Sequence, residues 1–185
     1  MSTKQIEKSV VEIQIPENVK VSLKGSMLHV QGPLGKVYKS FKKIPVLIEI
    51  NNNKILLKKT GERKKHLAIL NTSRSLIQTL CIGVVDGFTI KMKIVYSHFP
   101  ITVNIEGKKV LIKNFQGERA ARVSMIKGNT LVVAKGDDVI LTGPVLTDVS
   151  QTAANIQTNS KVKNKDHRVF LDGIYKYSQS KGIEK

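Results

Sequence analysis

Two segments, Val19-Lys-Val-Ser-Leu-Lys-Gly25 and Ile101-Thr-Val-Asn-Ile-Glu-Gly107, show the same pattern of side chains. In both, apolar residues alternate with polar ones and the run ends at a glycine. The similarity continues at a constant offset of 82 residues, because Leu28–Gly35 aligns with Val110–Gly117. Self-similarity at a fixed spacing is the signature of a repeated structural unit. The sequence therefore predicts two related units in tandem.

A second match relates Ile50–Lys59 to Ile126–Lys135 at an offset of 76 residues, a slip that loops of different length would produce. Alternation with a period of two predicts β-strands, because successive side chains of a strand point to opposite faces. Gly25 and Gly107 follow such runs. We therefore predict that these glycines lie at hairpin tips, which need positive φ or small bulk.

Each unit also contains a segment with helical spacing of apolar residues. These residues are Leu67, Leu70, Ile77, Leu80 and Val84 in the first unit, and Val145, Val149, Ala153 and Ile156 in the second. Thr147 or Asp148 is the expected N-cap of the second helix. The predicted fold class is α+β, a tandem duplication of a small antiparallel β-sheet packed against one α-helix. The predicted domains are an N-terminal extension (1–12), a first unit (13–84), a second unit (85–170) and a C-terminal tail (171–185).

The chain is strongly basic, with 31 Lys and Arg against 14 Asp and Glu and a formal charge of +17. Nucleic acid is the commonest partner of such a protein, an anionic membrane is the rival, and a merely soluble basic domain is the third interpretation. No secretory signal and no run of about 18 apolar residues is evident. A single cysteine, Cys81, excludes an intramolecular disulfide and fits a reducing compartment. We expect a cytoplasmic protein without a membrane partner.

The basic residues cluster at turns and after helices. The clusters are Lys36, Lys39, Lys42 and Lys43; Lys58, Lys59, Arg63, Lys64 and Lys65; Lys108, Lys109, Lys113, Arg119 and Arg122; and Lys161, Lys163, Lys165, His167 and Arg168. Taken singly, each cluster fits solvated surface lysines as well as a contact with RNA. Four clusters with few carboxylates among them favour phosphate contacts. Arg119 and Arg122 are the preferred candidates, since guanidinium groups bind phosphate in a bidentate manner.

Residues for catalysis do not assemble. The histidines are scattered, Gly32-Pro-Leu-Gly35 lacks the Gly-Lys-Ser/Thr ending of a phosphate-binding loop, and Asp137-Asp138 is expected in a turn. Cys81 is interpreted as a buried core thiol. We therefore predict a protein that is not an enzyme and has no metal, no cofactor and no small-molecule substrate.

Several motifs, in this order, resemble one known family. They are Ile15–Val19, Val30–Gly35, Val95–Pro100, Asn114–Glu118, Gln151–Ile156, Val162–Asp166 and Phe170–Tyr175. The chain resembles the large-subunit ribosomal protein family numbered six in bacteria and nine in eukaryotes, in its archaeal–eukaryotic branch, over residues 13–176. The resemblance implies a duplicated sheet-plus-helix fold and a structural role in translation. It also implies binding of large-subunit rRNA near the base of the lateral stalk and the sarcin–ricin loop, beside neighbouring ribosomal proteins.

The resemblance also implies which segments contact RNA, namely the second unit and the tail that follows it. On matching positions these are Lys108, Lys109, Lys113, Arg119, Arg122, Lys161, Lys163, Lys165 and Arg168. Two departures concern the first unit: the segment Ile50–Ile55 is short, and Lys58–Lys65 is basic where the family has an aromatic-rich stretch. The implied location is the cytoplasmic ribosome, with assembly in the nucleolus if the source is eukaryotic.

Three functions remain to be separated. The first is a structural RNA-binding protein of the large ribosomal subunit. The second is an assembly or regulatory factor that binds RNA transiently through the same loops. The third is an enzyme acting on nucleic acid, which requires clustered carboxylates or a metal constellation that the sequence does not contain.

Overall fold

The computed structural model describes residues 10–51, 53–166 and 168–183. Most of the predicted N-terminal extension (residues 1–9) and His167 therefore lie outside the described residues. The chain divides into two compact units, Met1–Asp86 and Gly87–Lys185. Each unit is an α+β structure of antiparallel strands and one long helix, which confirms the predicted fold class.

The first unit contains two three-stranded sheets and not the single sheet expected from the sequence. Its strands are β1 (Val10–Gln14), β2 (Lys20–Lys24), β3 (Met27–Gly32), β4 (Gly35–Ser40), β5 (Val46–Asn51) and β6 (Lys54–Lys59). The strand orders are β1-β6-β5 and β2-β3-β4. Helix α1 (Lys64–Val85) packs against strands of both sheets. The alternating apolar residues of these strands thus meet one helix face.

Helix α1 carries the predicted apolar stripe. Leu70, Ile77 and Val84 are fully buried, and Cys81 is buried with them, as expected of a core thiol. Burial raises the pKa of the Cys81 thiol. Among the described residues, this helix alone is long and apolar enough to cross a membrane by length and composition, contrary to the expectation from the sequence. Its packing against both sheets is that of the core helix of a folded unit.

The second unit also contains two sheets. Its strands are β7 (Phe88–Val95), β8 (Thr102–Glu106), β9 (Lys109–Lys113), β10 (Arg122–Met125), β11 (Leu131–Lys135), β12 (Asp138–Gly143) and β13 (Gly173–Lys181). The strand orders are β10-β9-β8 and β11-β12-β7-β13, and helix α2 (Leu146–Asn159) lies against β7, β10, β12 and β13. Ile90, Met92, Phe115, Val149 and Ile156 are among the residues of its continuous hydrophobic core.

Apart from β13, the described elements of the two units share one topology, which confirms the tandem duplication. In the first unit Val21 pairs with Val30, and in the second Val103 pairs with Ile112, the same register at the predicted offset of 82. Gly25 and Gly107 occupy equivalent turns with φ of +60° and +58°, as predicted. A positive φ at these positions favours glycine because any Cβ would be strained.

The second sequence match does not relate equivalent strands. An offset of 76 aligns β6 with β11, but β6 is the central strand of its sheet and corresponds in topology to β12. The sequence match thus points to β11, whereas the structural equivalent of β6 is the next strand, β12. Strands of the same period and composition are interchangeable in sequence, and only their pairing distinguishes them.

Two further features concern the ends of α2 and of the chain. Residues 171–185, predicted only as a C-terminal tail, contain β13, which pairs with β7 and has a bulge between Lys176 and Ser178. The N-cap of α2 is Val145, and no side chain caps the helix, so neither Thr147 nor Asp148 has that role. Asp148 instead lies in the first turn, where a carboxylate still favours the helix dipole.

Candidate nucleic-acid interface

Three of the candidate residues lie on the β8–β9 hairpin. Lys108 is in the turn, and Lys109 and Lys113 are the ends of β9, where both are exposed on the face opposite the buried Val110 and Ile112. The turn is held to β10 by the Ile126 N–H, which donates to the Lys108 carbonyl at 2.9 Å. The hairpin therefore presents ammonium groups from a fixed backbone, spread over roughly 13 Å of strand.

Arg122, the first residue of β10, is committed to contacts within the chain. Its Nε and Nη2 donate to the Glu118 carboxylate at 2.8 and 2.6 Å. Its Nη1 donates to the carbonyls of Asn159 and Lys161 at 3.0 and 2.9 Å. The guanidinium also lies 3.9 Å from the centroid of the buried Phe115 ring. Of the five N–H groups of an arginine, four are used in this way, which leaves little for the predicted phosphate fork.

The Arg122 contacts bring two distant segments together. Glu118 lies just after the short 3₁₀ helix Phe115–Gly117, and Asn159 and Lys161 lie at the end of α2. The hydrogen bond from Arg122 holds the pKa of the Glu118 carboxyl below its ordinary value of 4.5, and the charges of Arg122, Lys163 and Lys165 act in the same direction. Lys163 and Lys165 are therefore close enough to Glu118 to act on its charge. Arg119, the next residue, is exposed in the same neighbourhood.

The segment that follows α2 is anchored at alternate positions. Ser160 and Val162 are buried, while Lys161, Lys163 and Lys165 are exposed. The Ser160 hydroxyl accepts the Ile174 N–H at 3.0 Å, which ties the segment to β13. The segment thus exposes three lysines at alternate positions, and buried residues hold its backbone in place.

Arg168 stands apart from this anchored segment. Its side chain is 90% exposed, and its Nη2 lies 3.0 Å from Asp166 Oδ2. An exposed ion pair of this kind contributes little stability. The Arg168 guanidinium can therefore exchange Asp166 for another anion at little cost in stability.

The structure thus divides the nine candidates into groups. Lys163 and Lys165 lie near the Arg122–Glu118 pair, the Lys161 carbonyl accepts a hydrogen bond from Arg122, and Arg119 follows Glu118 in the chain. Lys108, Lys109 and Lys113 lie along the β8–β9 hairpin, and Arg168 lies in the turn after the lysines. Acidic residues among these candidates include Glu106, which lies opposite Lys109 in the hairpin register, Glu118 and Asp166. No group of three or more His, Cys, Asp or Glu residues in the described ranges is arranged to hold a metal ion.

The first unit has its own basic surface. Lys58 is paired with Glu49 at 2.9 Å, but Arg63 is the N-cap of α1 and Lys64 and Lys65 lie in its first turn. This first turn contains no acidic residue and has no side-chain cap. Cations are unfavourable at the positive end of a helix dipole, so these residues reduce the stability of the helix when no anion is bound.

The structure also contains a cleft that sequence reasoning did not identify. It is lined by Ser97, His98, Phe99, Gln116, Lys165, Val169, Phe170 and Asp172. These residues come from the β7–β8 loop, the 3₁₀ helix and the segment before β13. The motifs Val95–Pro100, Val162–Asp166 and Phe170–Tyr175 contain Phe99, Lys165 and Phe170, but the proximity of these residues depends on the fold.

Comparisons with known proteins agree with one another. Residues 99–173 match a family model described as ribosomal protein L6. The chain is 43% identical to a protein of Thermoplasma volcanium over 94% of this chain and 96% of that protein. It is 42% identical to a protein of Staphylothermus marinus over 90% and 92% of the two chains, and 41% identical to one of Methanosarcina mazei over 88% and 93%. All three relatives are named large ribosomal subunit protein uL6.

Proposed function

Because the chain belongs to the ribosomal protein L6 family, we propose that it is a structural constituent of the large ribosomal subunit. In this role it binds large-subunit rRNA near the base of the lateral stalk and the sarcin–ricin loop, beside neighbouring ribosomal proteins. It supports cytoplasmic translation and is not an enzyme. If the source is eukaryotic, assembly takes place in the nucleolus.

The observation that carries the proposed RNA interface is the convergence of basic segments in the second unit. Lys163 and Lys165 lie close enough to Glu118 to lower the pKa of its carboxyl, Arg119 follows Glu118 in the chain, and Ser160 and Val162 are buried anchors of the lysine segment. Cations on a fixed backbone lose less conformational entropy on binding than cations on a mobile chain. We assign the remaining exposed candidates, Lys108, Lys109, Lys113, Lys161 and Arg168, to further phosphate contacts.

Arg122 has a different role in this proposal. Its guanidinium positions the lysine segment and is not itself the main phosphate ligand. Arg119 is the arginine that meets RNA, because it is exposed and makes no hydrogen bond or ion pair with any other residue in the described part of the chain.

Sedimentation tests the role of the whole protein. Native extract is washed in moderate salt and fractionated on a sucrose gradient, and the chain is detected across the fractions. A structural constituent remains on large subunits and on translating ribosomes. Detection only on immature particles would identify an assembly factor instead, and detection only at the top of the gradient would contradict the ribosomal role.

The site is tested by the salt dependence of binding to large-subunit rRNA. Each phosphate contact contributes roughly 0.7–0.9 to the slope of log affinity against log salt concentration. Replacing Lys163 and Lys165 with Ala together should lower that slope by roughly 1.5. The matched control replaces Lys20 and Lys24 on β2, two exposed lysines outside the second unit. An equal change in both double variants would show that net charge matters and this site does not.

A further inference from the structure

The cleft in the second unit is lined by two exposed phenylalanine rings. The chain has five phenylalanines and no tryptophan. Phe41, Phe88 and Phe115 are buried, at 4%, 4% and 1% exposure, whereas Phe99 and Phe170 are exposed at 49% and 40%. Both exposed phenylalanines line the same cleft. Large apolar rings left in water at one place indicate a binding site.

The two rings are held by different elements. Phe99 packs over Gly117, whose φ of +79° favours glycine and whose added Cβ would lie 3.2 Å from the ring. Phe170 follows a turn in which its own N–H donates to the Asp166 carbonyl at 3.0 Å. The Lys165 ammonium lies 4.8 Å from the centroid of the Phe170 ring, within the range of a cation–π contact. The cleft therefore combines exposed π faces with a positive charge at its rim.

Polar groups at the base of the cleft are held by hydrogen bonds, and one acceptor among them has no partner in the described residues. Buried Asp172 accepts the Ser97 N–H at 2.9 Å and the Gln116 Nε2–H at 3.4 Å. The Gln116 Oε1 atom accepts no hydrogen bond from any described residue. Gln116 has φ of +52°, a conformation that residues other than glycine rarely adopt and that is enriched at ligand-binding positions. The amide oxygen is thus a fixed acceptor beside the aromatic rings.

We propose that this cleft binds one unpaired nucleobase of the RNA, which stacks on Phe170 or Phe99 while Gln116 Oε1 accepts a hydrogen bond from an exocyclic amine of the base. This inference rests on the proposed function and names the part of the RNA that the site takes. Stacking on aromatic side chains and hydrogen bonding to base edges are the usual means by which proteins read single-stranded RNA. Lys165 is then placed to contact the phosphate of the same nucleotide.

The surroundings favour a nucleotide over an apolar segment of a protein. Lys163 acts on the charge of Glu118, Arg119 is the exposed residue after Glu118, and Asp172 already accepts two hydrogen bonds. An apolar segment would use the rings but would leave the Gln116 acceptor unpaired and the lysines without partners. A nucleotide uses all three kinds of group.

Because the chain lacks tryptophan, the Phe170→Trp variant has a single indole reporter in the cleft. Titration with large-subunit rRNA should quench its fluorescence, since a base stacks directly on the indole. The matched control is Leu131→Trp, at a position on β11 that is 69% exposed in the same unit. Its fluorescence should change little. Equal quenching of both reporters would overturn the proposal, because it would reflect proximity of RNA and no specific stacking.

Affinity measurements separate stacking from apolar contact. Phe170→Tyr keeps the aromatic face and should bind rRNA within about twofold of the wild type. Phe170→Leu keeps apolar bulk without the π face and should bind roughly tenfold more weakly, with an unchanged salt slope. Since Phe170 is partly exposed, both variants should fold, and circular dichroism checks this. If Phe170→Leu binds rRNA as the wild type does, the nucleobase site is excluded.

The outcomes also distinguish this inference from the proposed function. If wild-type chain fails to bind rRNA even at low salt, the proposed function fails and the cleft has no RNA to read. If wild-type binding is strong and salt-dependent while Phe170→Leu changes nothing, the cleft inference alone is overturned. If Phe170→Leu binds free rRNA normally but is lost from large subunits, the cleft binds a neighbouring protein, which again overturns the nucleobase assignment.

Discussion

Replacement of Arg122 should lower the stability of the second unit, whereas replacement of Arg119 should lower the salt dependence of RNA binding, although the two residues are three positions apart. Arg122→Ala removes two hydrogen bonds to carbonyls, a bidentate ion pair with Glu118 and a contact with the Phe115 ring. The carbonyl bonds contribute about 1 kcal/mol each, and the partly exposed ion pair and the ring contact add up to about 1 kcal/mol together. We expect a loss of about 2–3 kcal/mol in the stability of the second unit.

The assay must report on the second unit alone, because unfolding of two units need not be a single transition. Native-state hydrogen exchange at the Ile174 amide, which is buried and bonded to Ser160, meets this requirement. The Arg122→Ala variant should exchange faster there by roughly 30- to 150-fold. Arg122→Lys should recover only part of the loss, because an ammonium cannot replace the planar fork.

Arg119→Ala is the matched control. It removes an exposed guanidinium that makes no hydrogen bond or ion pair within the described chain, so stability should stay within about 0.5 kcal/mol of the wild type. Its salt slope for rRNA binding should fall by roughly 0.7–0.9. The reasoning is refuted if Arg122→Ala leaves the exchange rate of Ile174 unchanged and lowers the salt slope as Arg119→Ala does. Arg122 would then be the phosphate ligand that the sequence indicates.

Three further predictions concern single positions. The folded-state pKa of Glu118 lies below 4.5. Glu118 therefore contributes stability that is complete above about pH 5 and is lost as the pH falls through the folded pKa. In urea unfolding, the stability difference between the wild type and Glu118→Gln should thus disappear at low pH. A difference that persists there would assign the Glu118 effect to packing. Lys64→Glu places a carboxylate at the N-terminus of α1 and should stabilise the first unit by about 0.3–1 kcal/mol in thermal unfolding of the free protein, with Lys39→Glu as a control outside the helix. Gly107→Ala meets no atom within 4 Å of its added Cβ, so its cost, read from urea unfolding, should be the backbone term alone, about 1–2 kcal/mol at φ of +58°; a cost near zero would show that the turn changes type.

The strands and helices were predictable because their residues follow simple periods. Val21, Val30, Val103 and Ile112 alternate with polar neighbours, and their pairing at an offset of 82 reproduces the repeat seen in the sequence. The offset of 76 related strands that are not equivalent, because apolar strands have similar sequences. Sequence similarity does not show which strand is central in a sheet. Topology depends on pairing across the chain, which local periodicity does not encode.

The site was less predictable for a related reason. An arginine among lysines has the same composition whether it faces solvent or reaches back into its own fold. Arg122 lies at the start of β10, where its inward direction follows from the pairing of that strand with β9. The two arginines are distinguished only by strand direction and by the carbonyls at the end of α2. These carbonyls are 37 and 39 residues away in the sequence.

The comparison of the two units indicates why the proposed interface lies in the second one. After α1 the chain passes directly into β7, whereas after α2 it continues through the lysine segment and returns as β13 on the outer edge of β7. Within residues 10–51 and 53–86 of the first unit, no strand corresponds to this return, and β1 is an edge strand of its sheet. Lys161, Lys163, Lys165, Arg168 and Phe170 all lie in the segment without a counterpart, and the Phe115–Gly117 helix replaces a simple hairpin turn. Duplication therefore accounts for the scaffold of both units and for the β8–β9 hairpin, and the unrepeated segment adds these five residues to the candidate site.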